Sequence, residues 1–246
     1  MSTEKLADEL TAWIREQVSQ ANCAGAIFGL SGGIDSAVVG ALCKRACPQE
    51  CLGVMIPCFS AEIDVEHARA VASRFDIPAR TVILDDVDQA LLRALPADDL
   101  DPSTVTMAEA NLKPRLRMLV LYYFANRLSY LVVGTGNRSE IAVGYFTKHG
   151  DGGCDILPLA SLVKRQVVDL ARHLGVPEEI ISKPPSAGLW EGQTDEAEMG
   201  ITYEELDRYV TGGDVSPEAK SRIESMMTRS AHKRAAPVVF RPSDAG

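Results

Sequence analysis

The chain predicts an α/β fold, a doubly wound parallel sheet with helices on both faces. Two observations carry the prediction. Short apolar runs alternate with helix-length amphipathic segments through the first 134 residues, which is the pattern of βαβ units. A glycine-rich loop, Gly29-Leu30-Ser31-Gly32-Gly33-Ile34-Asp35-Ser36, stands between the first such run and the helix that follows it. Ligands of parallel sheets gather at the carboxyl ends of strands, which is where that loop falls. With 246 residues, 46% hydrophobic and 24% charged, the chain suits one domain spanning 1–246.

Taken in order, residues 3–20 read as a helix, because Leu6, Leu10, Trp13, Ile14 and Val18 recur at helical spacing. A strand at 24–30, the glycine loop and a helix at 36–46 follow. Strands at 51–56 and 80–84 alternate with helices at 61–75 and 87–95. The stretch 96–104, with Asp98, Asp99 and Asp101, reads as a surface loop. A long helix at 105–128 carries Leu112, Leu116, Leu119, Val120 and Tyr123 on one face. Pro114 inside it should kink the helix or mark a restart. Residues 130–134 form a fourth strand, and 163–174, 202–210 and 216–228 further helices. From Lys183 to Glu196 prolines and glycines exclude regular structure, so this is a loop of the kind used as a lid.

Composition removes several classes. A net charge of −9 and a pI of about 5.0 argue against broad nucleic-acid or anionic-membrane binding. The longest apolar run, 118–125, is too short to span a bilayer. The segment after Met1 carries acids and does not read as a signal peptide, so a cytoplasmic location is expected. Among six cysteines, Cys43, Cys47 and Cys51 are evenly spaced. A metal site is one reading; small buried side chains in a reducing compartment fit better.

The chemistry concentrates in the loops. Gly32 and Gly33 permit close backbone approach, and the N–H groups opening the next helix favour phosphate. The loop lacks the Gly-Lys-Ser/Thr ending of Walker loops and the spacing of dinucleotide glycine motifs. An ordinary turn with Asp35 capping the helix is the plainer alternative. Gly134-Thr135-Gly136-Asn137-Arg138-Ser139-Glu140 follows the fourth strand. A capping box on Asn137 explains Glu140 as well as a metal site does. Arg115 and Arg117 near Pro114 are either both solvated, or a kink aims one of them at an anionic ligand. Thr147-Lys148-His149-Gly150-Asp151-Gly152-Gly153-Cys154-Asp155 reads as a functional loop. Lys164 opens a helix where a cation opposes the dipole, so something other than helix stability places it there. The basic run His232-Lys233-Arg234 reads as a solvated tail.

Taken together with Lys-Pro-Pro-Ser-Ala-Gly-Leu-Trp-Glu-Gly-Gln-Thr-Asp-Glu at 183–196, these motifs resemble the ammonia-dependent NAD synthetases. These are members of the N-type ATP pyrophosphatases, with an adenine nucleotide alpha hydrolase-like, Rossmann-like fold. The likeness spans about 5–240, in the family's order. It implies that deamido-NAD, ATP and ammonia give NAD, AMP and pyrophosphate through an adenylate. By motif position it implies that Gly29, Leu30, Ser31, Gly32, Gly33, Ile34, Asp35 and Ser36, with Thr135, Lys164 and Ser186, bind ATP. It makes Asp35 and Glu140 ligands of Mg2+, and assigns Arg115, Lys148, Asp155, His232 and Lys233 to deamido-NAD. Asp35, Lys164 and Asp151 are the implied catalytic group, Asp151 guiding or deprotonating ammonium. A homodimer is implied, with the helix after Pro114 in the contact. The chain is too short for the large nitrilase-like extra domain of the glutamine-using members, so free ammonia or ammonia from a separate protein is implied, and its segment before the first strand is shorter than in many members. A tRNA-modifying ATP pyrophosphatase is opposed by the acidic charge. A non-catalytic ATP sensor has no use for two acidic residues and the later polar loops.

Overall fold

A computed structural model describes residues 2–96, 104–190 and 192–240; the expected acidic loop lies largely outside them. Helix α1, Thr3–Gln20, is capped by the Ser2 hydroxyl, which accepts from the Lys5 N–H. It leads to β1, Gly25–Gly29, then α2, Ile34–Ala46, β2, Cys51–Met55, and α3, Glu62–Arg74. Next come β3, Ala79–Thr81, α4, Asp85–Ala94, α5, Val105–Ala110, α6, Leu112–Leu128, and β4, Tyr130–Val132. Beyond the sheet lie α7, Arg138–Val143, α8, Lys164–Leu174, α9, Glu178–Ile181, α10, Asp195–Met199, α11, Tyr203–Val210, and α12, Pro217–Arg229.

The four strands are all parallel, in the order β3-β2-β1-β4. Because β2 and β4 flank β1 on opposite sides, strand order reverses at β1/β4. That switch point opens a crevice at the carboxyl ends. Side chains alternate across the sheet. Ala26 and Phe28 of β1 face a core with Ile14 of α1, Leu42 of α2 and Leu170 of α8. Ile27 faces the opposite side, with Val54, Val132 and Ala125 of α6. Both faces are therefore covered, as a parallel sheet requires. A third cluster, Val143, Met199, Leu206 and Ile223, unites α7, α10, α11 and α12 beside the crevice.

Several expectations need correction. The 105–128 segment is two helices that meet at Asn111, and Pro114 sits in the first turn of α6, where its missing N–H costs nothing. Leu116 and Val120 pack against the sheet, whereas Leu119 and Tyr123 are exposed. The ladder of β3 ends at Thr81, although the Val82 and Leu84 N–H groups still donate to Met55 and Pro57 carbonyls. The loop after Lys183 ends two residues early, as Asp195 opens α10. The terminal basic run is packed: Lys233 Nζ donates to the Gly144 and Phe146 carbonyls, and Arg234 to Ile141 and Met227. Cys43, Cys47 and Cys51 all pack in the first core, and burial raises each thiol's pKa.

Candidate active site

The β1–α2 loop is built from its own side chains. Ser36 Oγ donates to the Gly33 carbonyl at 2.9 Å and accepts from the Ser31 N–H. Ser31 Oγ lies 3.1 Å from Ser36 Oγ and accepts from the Gly33 N–H. Gly32 has φ +80°, and a Cβ there would lie 2.2 Å from the Asp64 carbonyl oxygen of α3, so glycine is required for both reasons. Leu30 is part of the core, its N–H committed to the Val54 carbonyl. No side chain caps α2, whose N-cap is Gly33. Asp35 is thus not a helix cap; it lies in the first turn with its carboxylate free to project elsewhere.

That carboxylate meets groups from two distant segments. Asp35 Oδ2 lies 2.6 Å from Lys164 Nζ, and Asp35 Oδ1 accepts from Asn137 Nδ2 at 2.9 Å. Lys164 Nζ also reaches Glu140 Oε1 at 3.3 Å. The capping box and the site coexist: Asn137 Oδ1 accepts from the Glu140 N–H, Glu140 Oε2 from the Asn137 N–H, while Glu140 Oε1 faces the lysine. Asn137 is fully buried. Local pattern could not separate the two roles of Glu140 because the two carboxylate oxygens do different work.

The electrostatics follow from two carboxylates sharing one ammonium. Burial disfavours the Lys164 charge, but Asp35 and then Glu140 outweigh that, and the lysine stays protonated above its ordinary range. Burial first, and repulsion from Asp35 second, push the Glu140 carboxyl up to about 7, against the pull of Lys164. A single ammonium cannot compensate both acids, and the nearer one, Asp35, takes it. Hard oxygen donors short of positive charge suit a divalent cation. Among the described residues, no cluster of three His, Cys, Asp or Glu could hold a metal. An ion here would need ligand oxygens from a bound nucleotide as well.

The cluster opens into a cavity of about 510 Å³ at the sheet's switch point. Its walls include Ser31, Ser36, Thr135, Asp151, Ser186 and Lys233. Asp151 lines this cavity with its side chain open to it, and desolvation by the surrounding protein raises its pKa while the Thr147 N–H bond opposes that. Arg115, Lys148, Asp155 and His232 lie outside the lining. Three of them form a string: Arg115 Nε donates to the Lys148 carbonyl, and Lys148 Nζ to the His232 carbonyl. Asp155 accepts from the Tyr122 hydroxyl and the Val132 N–H.

The sequence reading misses several residues of the site, some lining the cavity and some behind it. Arg117, rather than Arg115, faces the cavity, anchored on the Ile56 carbonyl and Ser60 Oγ, and burial lowers its pKa. Asp207 of α11 caps α8, accepting from the Lys164 and Arg165 N–H groups, and so holds the lysine in place. Tyr145, Asp195, Glu198 and Tyr203 back the cluster. The Asn-Arg-Ser-Glu cap was the one local signal for Asn137; for Asp207, 43 residues from Lys164, there was none.

A family model described as NAD synthase matches residues 6–237. An NH3-dependent NAD+ synthetase of Carboxydothermus hydrogenoformans is 49% identical, over 96% of this chain and 97% of that protein. A solved NMN synthetase from Francisella tularensis superposes with TM-score 0.92 at 36% identity, covering 99% of each chain. A solved NH3-dependent NAD synthetase from Campylobacter jejuni gives TM-score 0.81 at 26% identity, covering 98% of this chain and 100% of that one.

Proposed function

The chain belongs to the NAD synthase family, and from that premise we propose how its residues amidate a nicotinate carboxylate with ammonia at the expense of ATP. The substrate is deamido-NAD. The observation that supports the residue assignment most is the convergence of Asp35, Glu140 and Lys164 beside an uncapped helix N-terminus. The N–H groups of 32 and 34–36, the Ser31 and Ser36 hydroxyls and the positive end of α2 receive the triphosphate, with Thr135 and Ser186 at its flanks. Asp35 and Glu140 would hold Mg2+ against the phosphates, where it would stabilise charge on the departing pyrophosphate. Lys164, displaced from between the carboxylates, carries its positive charge to the phosphate as a compact point cation.

A carboxylate oxygen attacks the α-phosphorus, the bond to the β-phosphate breaks, and pyrophosphate leaves. Ammonia then attacks the acyl carbon, and AMP leaves with the bonding pair. Asp151 takes the proton that nitrogen sheds; its raised pKa makes it a better base than an aspartate at the ordinary carboxylate value. Arg115, Lys148, Asp155 and His232 hold the far part of the dinucleotide outside the cavity, with Lys233 at its rim. Exposed Leu119 and Tyr123 on α6 support a homodimer in which a second copy completes that outer region. No described helix is long and apolar enough to cross a membrane, and we place the enzyme in the cytoplasm.

A second reading concerns the substrate alone. The likeness to a solved NMN synthetase, at TM-score 0.92, favours the smaller nicotinate mononucleotide, and the four residues outside the cavity would then be idle. Amide formation with ammonium, assayed on both nucleotides, decides. Deamido-NAD should be preferred and glutamine should not replace ammonium; preference for the mononucleotide would establish the second reading. Asp35→Ala should abolish pyrophosphate release while the chain stays folded, and near-normal turnover would refute its assignment.

A further inference from the structure

Lys164 is the first residue of α8, where the helix dipole opposes its ammonium, and the residue before it cannot cap the helix, since Val163 carries no side-chain oxygen. The cap comes from Asp207 of α11 instead. Asp207 Oδ2 accepts from the Arg165 N–H at 2.8 Å, and Oδ1 from the Lys164 N–H at 3.2 Å. Oδ1 also accepts from Ser139 Oγ at 2.5 Å, and that hydroxyl oxygen shares the Lys164 N–H, again at 3.2 Å. Ser139 and Asp207 are both buried, and Ser139 stands beside Glu140 in the first turn of α7. A parallel tie runs from the Arg138 N–H to the Leu162 carbonyl at 2.8 Å, and Arg138 Nη2 donates to the Val210 carbonyl at the end of α11.

One carboxylate therefore locks the starts of two helices together, α7 bearing Glu140 and α8 bearing Lys164. Its own helix is a firm anchor, because Leu206, next to Asp207, is fully buried in the third apolar cluster. Charge adds to geometry: the carboxylate offsets the positive end of α8 that opposes the lysine. Lys164 reaches Asp35 and Glu140 on a flexible four-carbon stem, so its ammonium is only as well placed as the backbone it springs from. A misplacement of about 1 Å costs roughly a hundredfold in rate. The glycine loop is held by its own serines, so its grip on ATP does not depend on Asp207.

We propose that Asp207 is a positioning residue for the amidation: it fixes the backbone of Lys164 against α7 and offsets the α8 dipole, so that the ammonium meets the reacting phosphates in register. The proposal rests on the reading that Lys164 serves ATP-dependent amide formation. Asp207→Asn, which keeps the shape and removes the charge, is compared with the parent in pyrophosphate release and amide formation. kcat should fall at least about tenfold, with KM for ATP changed less than about threefold. Val163→Thr separates placement from helix stability. A threonine there caps α8 through the N–H of its second or third residue but makes no bond to Ser139 or to the Lys164 N–H. Alone it should leave turnover as in the parent; added to Asp207→Asn it should restore the denaturant midpoint but not kcat. Recovery of kcat along with the midpoint would overturn the proposal, since any cap would then do. In a Lys164→Met background Asp207→Asn should cost less than about twofold, because it acts through that lysine, and losses that multiply would overturn it equally. Should Asp207→Asn fail to fold, Ser139→Ala probes the same junction: a lowered kcat at unchanged KM for ATP supports the proposal, and a parent-like kcat overturns it. An active parent matched by Asp207→Asn overturns the proposal alone, whereas a parent that releases no pyrophosphate with either nucleotide substrate overturns the reading beneath it as well.

Discussion

At the scale of the residue, the site turns on an unequal division of one positive charge between two acids. Lys164 is almost fully buried and satisfies Asp35 better than Glu140. Removing it, as in Lys164→Met, leaves two carboxylates facing each other in a low-dielectric cleft. Loss of one partner from a buried pair costs about 3–5 kcal/mol, and denaturant midpoints without divalent cation should show a loss of that order. Added Mg2+ should recover part of it; a variant as stable as the parent would mean that the ammonium is not compensating these acids. The raised Glu140 pKa has its own signature. Between the ordinary carboxylate value of 4.5 and about 7 the folded chain binds more protons than the unfolded one, so stability falls as pH rises through that window. Glu140→Gln should flatten that slope in unfolding measurements without metal. Equal slopes in both proteins would show that Glu140 ionises normally.

At the scale of the element, the loop between β1 and α2 works because a glycine lets it pass against α3. Gly32→Ala meets both a positive φ and the Asp64 backbone oxygen. Backbone cannot swing away as a side-chain tip can, so the loop must move, and the KM for ATP should rise at least about tenfold. Gly33→Ala, with its Cβ 3.4 Å from Ser31 Oγ and no positive φ, should preserve the loop's course in a crystal structure. Strand and helix alternation was readable from the sequence because the central strands β1 and β2, buried on both faces, are short apolar runs, whereas the edge strand β3, Ala79–Thr81, is exposed and gave a weaker signal. The loop motifs were readable because their residues are contiguous. What could not be read were contacts across distance. Asp207 capping α8, Arg117 turned inward where Arg115 turns away, and the packing of Lys233 beneath Gly144 and Phe146 depend on how elements are stacked. The split at Asn111 was half legible: Pro114 announced a disruption, but a first-turn proline displaces the break to its N-terminal side.

At the scale of the whole molecule, the sheet's switch point gathers residues from the start, middle and end of the chain around one cavity. The exposed Leu119 and Tyr123 of α6 lie on the side away from the sheet. For the homodimer proposed above, Leu119→Lys should shift the particle from dimer to monomer in sedimentation and raise KM for the nucleotide substrate more than for ATP. An unchanged dimer would place the interface elsewhere. The account as a whole depends on where the triphosphate lies, and a crystal structure with ATP and Mg2+ bound tests that directly. The account predicts phosphate oxygens within hydrogen-bond distance of the N–H groups of 32 and 34–36, one cation touching both Asp35 and Glu140, and Lys164 moved from between them onto a phosphate. A triphosphate seated elsewhere, or Lys164 still wedged between the two carboxylates, would contradict it.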